Sequence, residues 1–345
     1  MGIIDGYKRL RSEAYLKETY RASYAFVGIG GHSLANLYPV IHYLQLPLKY
    51  ICVRSERKAA LVQAKFPGVH AVSDLSAVLA DPEVKAVMVS ASPDAHFALA
   101  RKVLLAGKAL FVEKPPCRTS EELEALIAAA SEGGAPFAVA GMQKRHAPAV
   151  RMLRQRLRRG KPISYDLHYC TGAYPEGDAL TELFIHPLGL VCHLFGKAEV
   201  LLCEHPSDGT ILLTLRHKGI TGTVELSTDY SWDGAKENLS VNTSSGLYEL
   251  ERAEELYFTP RAGNLAGIPL EKAGLGSGSR RVIFAPDRFS PVLQGNPVYT
   301  KGFFGEIHEF AEAVEGRKAD LYNSLEGLRD TYSLMQTIRT TIINN

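Results

Sequence analysis

The chain has 345 residues, 46% of them hydrophobic, which is enough for two domains that each bury a core. The chain has 39 Lys and Arg and 37 Asp and Glu, which leaves a net charge of +2. The protein therefore has no strong electrostatic field that would attract nucleic acid or an anionic membrane, and a small-molecule partner is expected. Five cysteines without a Cys-x-x-Cys pair argue against a disulfide framework or a metal site, and the lack of a signal peptide or a long apolar run predicts a cytoplasmic protein.

The chain opens with residues 3–21, which are polar with apolar positions at loosely helical spacing. They predict a helical leader, residues 1–22, that packs against another surface such as a neighbouring subunit. The next stretch, Tyr24 to Ser33, is a short apolar run that ends in closely spaced glycines, and a helix-like segment over 34–44 follows it. A dinucleotide-binding domain begins with this order of strand, turn and helix.

The glycines of this stretch have distinct expected roles. Gly28 permits the tight turn out of the strand, and Gly30 lets the backbone approach a pyrophosphate at the helix N-terminus. Ser33 stands where the G-x-G-x-x-G pattern usually has Gly or Ala, which predicts a slightly wider spacing of helix and strand. A plain Gly-rich turn stays the alternative at this point, because short motifs also occur by chance.

The second strand, predicted over 48–53 with a helix over 59–65 behind it, bears on the choice of cofactor. A carboxylate at its end would hydrogen-bond the ribose hydroxyls of NAD, but Arg54 and Ser55 stand there. Because a guanidinium and a hydroxyl suit a 2′-phosphate, NADP is favoured. The alternative is that Arg54 is a solvated surface residue. NAD also stays a possible cofactor, because the carboxylate of Glu56 lies close by in the sequence.

Strands and helices continue to alternate after this point. The sequence predicts a helix over 74–79, a strand over 84–90, a helix over 97–105, a strand over 109–112, a helix over 120–130 with a capping box of Thr119 and Glu122, and a strand over 137–141. Such alternation predicts a parallel sheet with right-handed crossovers. The small residues from Ser90 to His96 follow a central strand, where an open parallel sheet leaves its ligand crevice.

The second half of the chain shows polar-apolar alternation with few helices. Strands are predicted over 163–170, 200–204, 210–217, 221–228, 238–243 and 247–250. They indicate a large, open, mostly antiparallel sheet with one covered face. A Gly-rich loop over 263–278 and amphipathic helices over 303–314 and 325–338 complete the chain. The predicted fold is thus an α/β Rossmann domain with helices on both faces over 23–143, and an α+β substrate-binding and oligomerisation domain over 144–345.

Three stretches carry side chains suited to chemistry. Glu113-Lys114-Pro115 directly follows a buried strand, so it is placed at the carboxyl edge of the parallel sheet. The stretch from Tyr165 to Tyr174 leads out of a strand of the second domain. Glu182 and His186 are four residues apart, and on one helix they would share a face.

With these motifs in the same order and spacing, the chain from Tyr24 onward resembles the Gfo/Idh/MocA family of NAD(P)-dependent oxidoreductases, which act mainly on sugars, inositols and related polyols. The residues that carry the resemblance are the G-x-G-G turn, the strand ending before Pro93 with His96, the Glu-Lys-Pro at 113–115, Gln143 to Arg145, and the acid-x-x-x-His. The cofactor residues it implies are Gly28, Gly30, Gly31, His32, Ser33, Arg54, Ser55, Ser90, Ala91, Ser92, Pro93, His96, Glu113 and Lys114.

The resemblance implies a mechanism with few parts. His186 accepts the hydroxyl proton of a secondary alcohol as hydride moves to the nicotinamide, and donates it in the reverse direction. Lys114 donates a hydrogen bond to the reacting oxygen. Glu182 stands where the family usually has Asp, and it contacts the substrate or orients His186. Arg145 and Tyr174 are predicted further substrate contacts.

Two other functions stay open from the sequence. One is a glycoside-cleaving enzyme of similar architecture that oxidises a sugar transiently and recycles its cofactor. The other is a non-catalytic dinucleotide sensor, although the presence of both Lys114 and His186 argues against it. The expected assembly is a homodimer or homotetramer formed through the open face of the second sheet.

Overall fold

The computed structural model describes residues 2–17, 19–274, 278–289 and 292–344, and of residues 11–17, 273 and 344 it describes the backbone alone. The chain forms two compact units. Unit 1 comprises Met1–Glu113, Ala128–Val139 and Ile307–Leu321, and unit 2 comprises Lys114–Ile127, Ala140–Glu306 and Tyr322–Asn345. Among the described residues, no helix combines the length and the apolar character that crossing a membrane requires. The predicted domain boundaries stay a prediction.

Unit 1 is built on the predicted parallel sheet. Its strands are β1 (Ser23–Val27), β2 (Leu48–Cys52), β3 (His70–Val72), β4 (Val84–Val89), β5 (Ala109–Val112) and β6 (Ala138–Ala140), in the order β3-β2-β1-β4-β5-β6. The pairs β1 with β2, β1 with β4, β2 with β3 and β4 with β5 are parallel. The sequence missed β3, because three partly exposed residues are too few to show a period.

The helices through residue 133 are α1 (Ile3–Lys17), α2 (Tyr38–Tyr43), α3 (Glu56–Lys65), α4 (Leu75–Ala80), α5 (Pro93–Leu105) and α6 (Ser120–Gly133). The predicted helix over 34–44 is divided into a π-helical turn, Ser33–Leu37, and α2. Helix α5 begins four residues earlier than expected, because Pro93 has the backbone geometry of a first helical residue. In α1 the apolar side chains of Ile3, Ile4, Tyr7 and Leu10 are exposed, so they do not pack against this chain.

Unit 2 contains an eight-stranded sheet. Its strands are β7 (Pro162–Cys170), β8 (Glu199–Ser207), β9 (Thr210–His217), β10 (Ile220–Ser227), β11 (Lys236–Thr243), β12 (Gly246–Glu251), β13 (Glu255–Pro260) and β16 (Arg281–Phe284), in the order β16-β13-β12-β11-β7-β10-β9-β8. Neighbours are antiparallel except β7 and β10, which are parallel. The sequence missed β13 and β16.

The predicted Gly-rich loop over 263–278 is more ordered than expected. It holds a two-stranded hairpin of β14 (Asn264–Leu265) and β15 (Ile268–Pro269), followed by a 3-10 turn over Leu270–Ala273. Residues 275–277 of this loop lie outside the described residues.

The remaining helices are α7 (Pro148–Leu157), α8 (Ala179–Glu182), α9 (Ile185–Phe195), α10 (Pro297–Thr300), α11 (Phe303–Val314) and α12 (Arg329–Asn344). Helix α9 covers one face of the eight-stranded sheet, where Phe195 stacks on Tyr165 with ring centroids 4.6 Å apart. Alternate residues of β7, Asp166 and His168, point to the opposite face and are partly exposed. The expected sheet with one covered face is confirmed.

Candidate cofactor and catalytic residues

The glycine turn after β1 has a geometry that only glycine allows. Gly28 has a φ of +103°, and a Cβ there would lie 2.0 Å from the carbonyl oxygen of Ser90. The Gly28 amide donates to the carbonyl of Cys52 at 2.8 Å. Three neighbouring strands therefore fix this residue, and its role in the tight turn is as the sequence predicts.

The next two glycines leave the surface of the turn open. A Cβ on Gly30 or on Gly31 would meet no described protein atom within 4 Å, so another molecule can approach the backbone there. Ser33 closes the turn, because its hydroxyl lies 3.0 Å from the amide and 3.1 Å from the carbonyl oxygen of Gly30. These features fit the phosphates of a dinucleotide.

The carboxyl ends of β1, β4 and β5 bring further predicted residues together within unit 1. His32 Nε2 lies 3.1 Å from Glu113 Oε1, and the Ser90 amide donates to the carbonyl of Val27 at 2.9 Å. His96 is buried in α5, with its Nε2 3.1 Å from the carbonyl oxygen of Ala91. His96 thus supports the loop formed by Ser90, Ala91, Ser92 and Pro93.

The residues after β2 are arranged around the start of α3. Ser55 caps this helix by accepting the amide of Lys58 at 3.4 Å, and Arg54 is exposed. The Glu56 carboxylate accepts a hydrogen bond from the Ser73 hydroxyl. Lys58, which the sequence did not single out, donates from Nζ to the carbonyl of Ile29 at 2.9 Å. The Lys58 ammonium therefore lies beside the glycine turn.

A second group of predicted residues lies within unit 2. The Lys114 ammonium donates to the carbonyl oxygen of Glu182 at 2.8 Å, and the Lys114–Pro115 peptide bond is cis. This contact ties the segment that follows β5 to the segment that carries His186. His186, four residues after Glu182, is buried as well.

The Glu182 carboxylate is enclosed by its neighbours. It is 4% exposed, accepts the Tyr174 hydroxyl at 3.0 Å and lies 3.4 Å from Arg118 Nη2. A Cβ on Gly177 would lie 2.5 Å from the carboxylate, so a larger residue there would displace the Glu182 side chain. Burial and the hydrogen bond to Glu182 raise the pKa of Tyr174 to about 12. The sequence missed Arg118 and Gly177, although Arg118 follows Lys114 by only four residues.

The prediction that Glu182 and His186 share a helix was wrong. Glu182 ends the short helix α8, and His186 lies in the first turn of α9 after a break at Leu183 and Phe184. Pro187 explains the break, because it has no amide to donate to Leu183 and can stand only in the first turn of a helix. Both side chains are nevertheless buried.

Arg145 makes its contacts with the protein itself. Its guanidinium, 2% exposed, donates to the carbonyls of Tyr322 at 2.9 Å and Gly189 at 3.1 Å and to the Thr331 hydroxyl at 3.3 Å. Burial lowers the pKa of Arg145 to about 10. A Cβ on Gly189 would lie 2.4 Å from the terminal methyl of Met142, so a larger residue there would displace the Met142 side chain.

One cavity of unit 1 lies away from these residues. It has a volume of about 550 Å³ and is lined by residues that include Val84 and Ala109, which begin β4 and β5. The candidate cofactor residues follow the opposite ends of these strands. This cavity contains none of the predicted site residues.

A comparison with known families identifies the first part of the chain. The sequence profile described as "Oxidoreductase family, NAD-binding Rossmann fold" matches residues 22–141. Residues 22–141 belong to the Gfo/Idh/MocA family. The resemblance drawn from the motifs is thereby confirmed.

Two curated relatives with a described activity are similar to part of this chain. An inositol 2-dehydrogenase from Saccharopolyspora erythraea is 27% identical over 44% of this chain and 46% of its own length. A UDP-N-acetylglucosamine 3-dehydrogenase from Acidithiobacillus ferrooxidans is 31% identical over 50% of this chain and 54% of its own length. The chain thus spans about half the length of these relatives.

Solved structures support the fold of the whole chain. A dehydrogenase from Chromobacterium violaceum has a TM-score of 0.77 and 21% identity, over 94% of this chain and 96% of that one. A 3-ketoreductase from Actinomadura kijaniata, in complex with TDP-benzene and NADP, has a TM-score of 0.71 and 18% identity, over 92% and 96% of the two chains. The predicted fold class, a Rossmann domain with a mostly antiparallel second sheet, is confirmed.

Proposed function

We propose that the protein is an NAD(P)-dependent oxidoreductase that moves a hydride between its cofactor and a secondary alcohol or ketone of a sugar, sugar nucleotide or polyol. The family of residues 22–141 and the two named relatives support this class of reaction. The observation that carries the proposal is the 2.8 Å contact of the Lys114 ammonium with the Glu182 carbonyl, four residues before His186.

In this proposal Lys114 acts as an electrostatic donor. Its position immediately after β5 leaves little freedom to the backbone, and the Glu182 carbonyl holds one of its hydrogens. The ammonium has three donor hydrogens, so it is able to bond a protein carbonyl and a substrate oxygen at the same time. A preorganised donor of this kind stabilises the negative charge that develops on the reacting oxygen.

His186 is proposed as the acid and base. A bound nicotinamide supplies only the site that gains or gives up hydride, so a protein side chain must handle the hydroxyl proton. His186 is buried in the first turn of α9, which fixes its backbone. Imidazole suits the task because both of its protonation states are accessible near neutral pH.

Glu182 and Arg145 are proposed to serve in different ways. Glu182, held by Tyr174 and Arg118, is a buried carboxylate that can bind a substrate hydroxyl or orient His186. Arg145 donates its hydrogen bonds to backbone carbonyls of the protein, one of them in α9. We therefore assign it a positioning role instead of the substrate contact expected from the sequence. The cytoplasmic location stays a prediction from the sequence.

The test of Lys114 is Lys114→Ala, assayed for turnover of a panel of sugars and polyols and for NAD(P)H binding by fluorescence. We expect kcat to fall by about 10²- to 10³-fold, as for the loss of one oxyanion donor, with cofactor binding retained. Lys85→Ala is the matched control, since Lys85 is an exposed lysine near the opposite end of the sheet. Unchanged turnover in Lys114→Ala would remove this residue from the mechanism. Release of an aglycone without net change in reduced nicotinamide would favour the glycoside-cleaving alternative.

We also propose that NADP is the preferred cofactor. Arg54 and the capping Ser55 follow β2, and the nearby Glu56 carboxylate is engaged by Ser73. An exposed guanidinium attracts a 2′-phosphate, whereas an engaged carboxylate is less available for ribose hydroxyls.

Fluorescence titration checks this preference. NADPH should bind wild type more tightly than NADH, and Arg54→Ala should weaken NADPH about tenfold while sparing NADH, because a charge-assisted hydrogen bond contributes roughly 1.5 kcal/mol. Arg57→Ala, in the first turn of α3, is the control. Equal affinities of wild type for the two cofactors would refute the 2′-phosphate argument.

A further inference from the structure

Outside the proposed active site, the exposed face of the eight-stranded sheet carries a compact group of metal-binding side chains. His168 and Cys170 lie two residues apart on β7, so both point to the same face. Strand β10 pairs with β7 in parallel and places Glu225 directly beside His168. One ligand atom from each of these three residues lies within 4.8 Å of the others.

We propose that His168, Cys170 and Glu225 form a zinc site. An imidazole nitrogen, a thiolate and a carboxylate oxygen are the three ligand types that zinc accepts in proteins. Ligand atoms around a tetrahedral zinc ion stand about 3.3–3.6 Å apart, so side-chain movements of about 1 Å close the group on the ion. Three protein ligands leave the fourth position to water.

The surroundings of these ligands resemble the outer shell of a metal site. His168 Nδ1 lies 2.8 Å from Glu225 Oε2, on the side where the metal would bind, and His168 Nε2 lies 2.6 Å from Asp166 Oδ2. Asp166 in turn accepts the Thr223 hydroxyl at 2.5 Å, and Glu225 accepts the Tyr230 hydroxyl at 3.1 Å. A ligating histidine whose other nitrogen donates to a carboxylate is a recurring arrangement that fixes its tautomer.

Charge and access also favour a cation here. The Asp166 and Glu225 carboxylates face one imidazole, and Cys170 adds a third negative charge when its thiol proton passes to solvent on metal binding. Cys170 is 1% exposed, whereas the His168 side chain is 42% exposed in the single chain, so an ion can enter from the solvent side before any other subunit covers this face. The bound ion would join β7 to β10 at the only parallel pair of this sheet, within the described strands.

The competing explanation needs no metal. The same contacts describe a protonated imidazole shared between Asp166 and Glu225. The two explanations differ at Cys170, because a shared imidazolium makes no use of the thiol, whereas the metal site requires it as a ligand. The zinc proposal is independent of the proposed oxidoreductase function, since none of its ligands belongs to the candidate active site.

The test uses the full-length protein dialysed against Zn²⁺, then against buffer, with metal content measured by mass spectrometry. We expect one equivalent of zinc per chain, and Co²⁺ in its place should give a thiolate-to-cobalt charge-transfer band. Cys170→Ser should remove the band and lower zinc affinity at least tenfold, while Cys203→Ser, which alters another buried cysteine of this sheet, should change neither.

Asp166→Asn provides a milder variant that keeps all three ligands. It should lower zinc affinity about 10- to 100-fold without removing the cobalt band, as expected for loss of an outer-shell partner. Circular dichroism establishes that each variant is folded. Failure of the folded wild type to retain zinc would overturn the proposal in favour of the imidazolium. A cobalt band that survives Cys170→Ser would overturn it by showing that another thiolate binds the metal.

Discussion

At the scale of single residues, the Glu182 carboxylate depends on Arg118, 64 residues earlier in the sequence, and on Tyr174, eight residues earlier. A buried carboxylate is costly unless its charge and lone pairs are satisfied, and Arg118 and Tyr174 do this for Glu182. Gly177 completes the enclosure by leaving room for the carboxylate. Removing one of these partners should therefore displace the Glu182 carboxylate or make it less acidic, without unfolding unit 2.

Tyr174→Phe tests this dependence. Loss of a hydrogen bond to a charged group costs about 1.5 kcal/mol, so kcat/KM should fall roughly tenfold and the melting temperature should fall by a few degrees, with the protein still folded. Tyr257→Phe is a close control, because Tyr257 also donates to a carboxylate, that of Glu255, in a strand away from the site. A Tyr174→Phe enzyme as fast as Tyr257→Phe would show that Glu182 does not rely on this contact.

At the scale of elements, two glycines of the turn after β1 have different roles, one in the fold and one in the approach of another molecule. Gly28 is required by the fold, since its φ is positive and the backbone of Ser90 occupies the place of a Cβ. Gly30 is free of such contacts within the described protein, so its lack of a side chain matters only to a molecule that approaches from outside.

Two alanine variants distinguish these roles. Gly28→Ala should lower the free energy of unfolding by about 2 kcal/mol or more, because strained backbone and a direct clash add. Gly30→Ala should melt like wild type yet bind NAD(P)H at least tenfold more weakly, because a methyl group keeps a pyrophosphate from the turn. Thermal melts and cofactor titrations measure both effects. Wild-type cofactor affinity in Gly30→Ala would contradict the placement of the pyrophosphate.

At the scale of the whole molecule, the exposed face of the second sheet is the candidate subunit contact. In β9 and β10, residues alternate between buried and exposed, so the sheet face opposite α9 is left uncovered along these strands. Leu202 and Leu212 on β8 and β9 are 49% and 39% exposed. Apolar side chains on an uncovered sheet face are typical of association surfaces.

We therefore propose a homodimer or homotetramer formed through this face, and Leu212→Glu tests it. A charge at this position should shift the sedimentation velocity of the wild-type oligomer towards that of the monomer, because the carboxylate would have to be desolvated. Leu61→Glu, on an exposed residue of α3 in unit 1, should leave the oligomer intact. A wild-type protein that sediments as a monomer would refute the proposed interface.

The sequence by itself determined the class of fold and the glycine turn after β1. Runs such as 84–89 and 109–112 are local patterns, and the strands they predict lie where expected, within a residue. The positions of Gly28, Lys114 and Glu182 were likewise evident from motifs, because each follows a strand or belongs to a spaced pair.

Only the tertiary structure decided which residues meet. Arg118 with Glu182, Lys58 with Ile29, and Glu225 with His168 are brought together by chain crossings and strand pairing, which no local pattern records. The four-residue spacing of Glu182 and His186 did not predict the break before α9 either. A continuous helix through Pro187 would cost more free energy than the two residues gain by sharing a face. Local periodicity determines where helices and strands form. Contacts between residues distant in sequence depend on packing, whose energy is the sum of many small interactions over the whole chain.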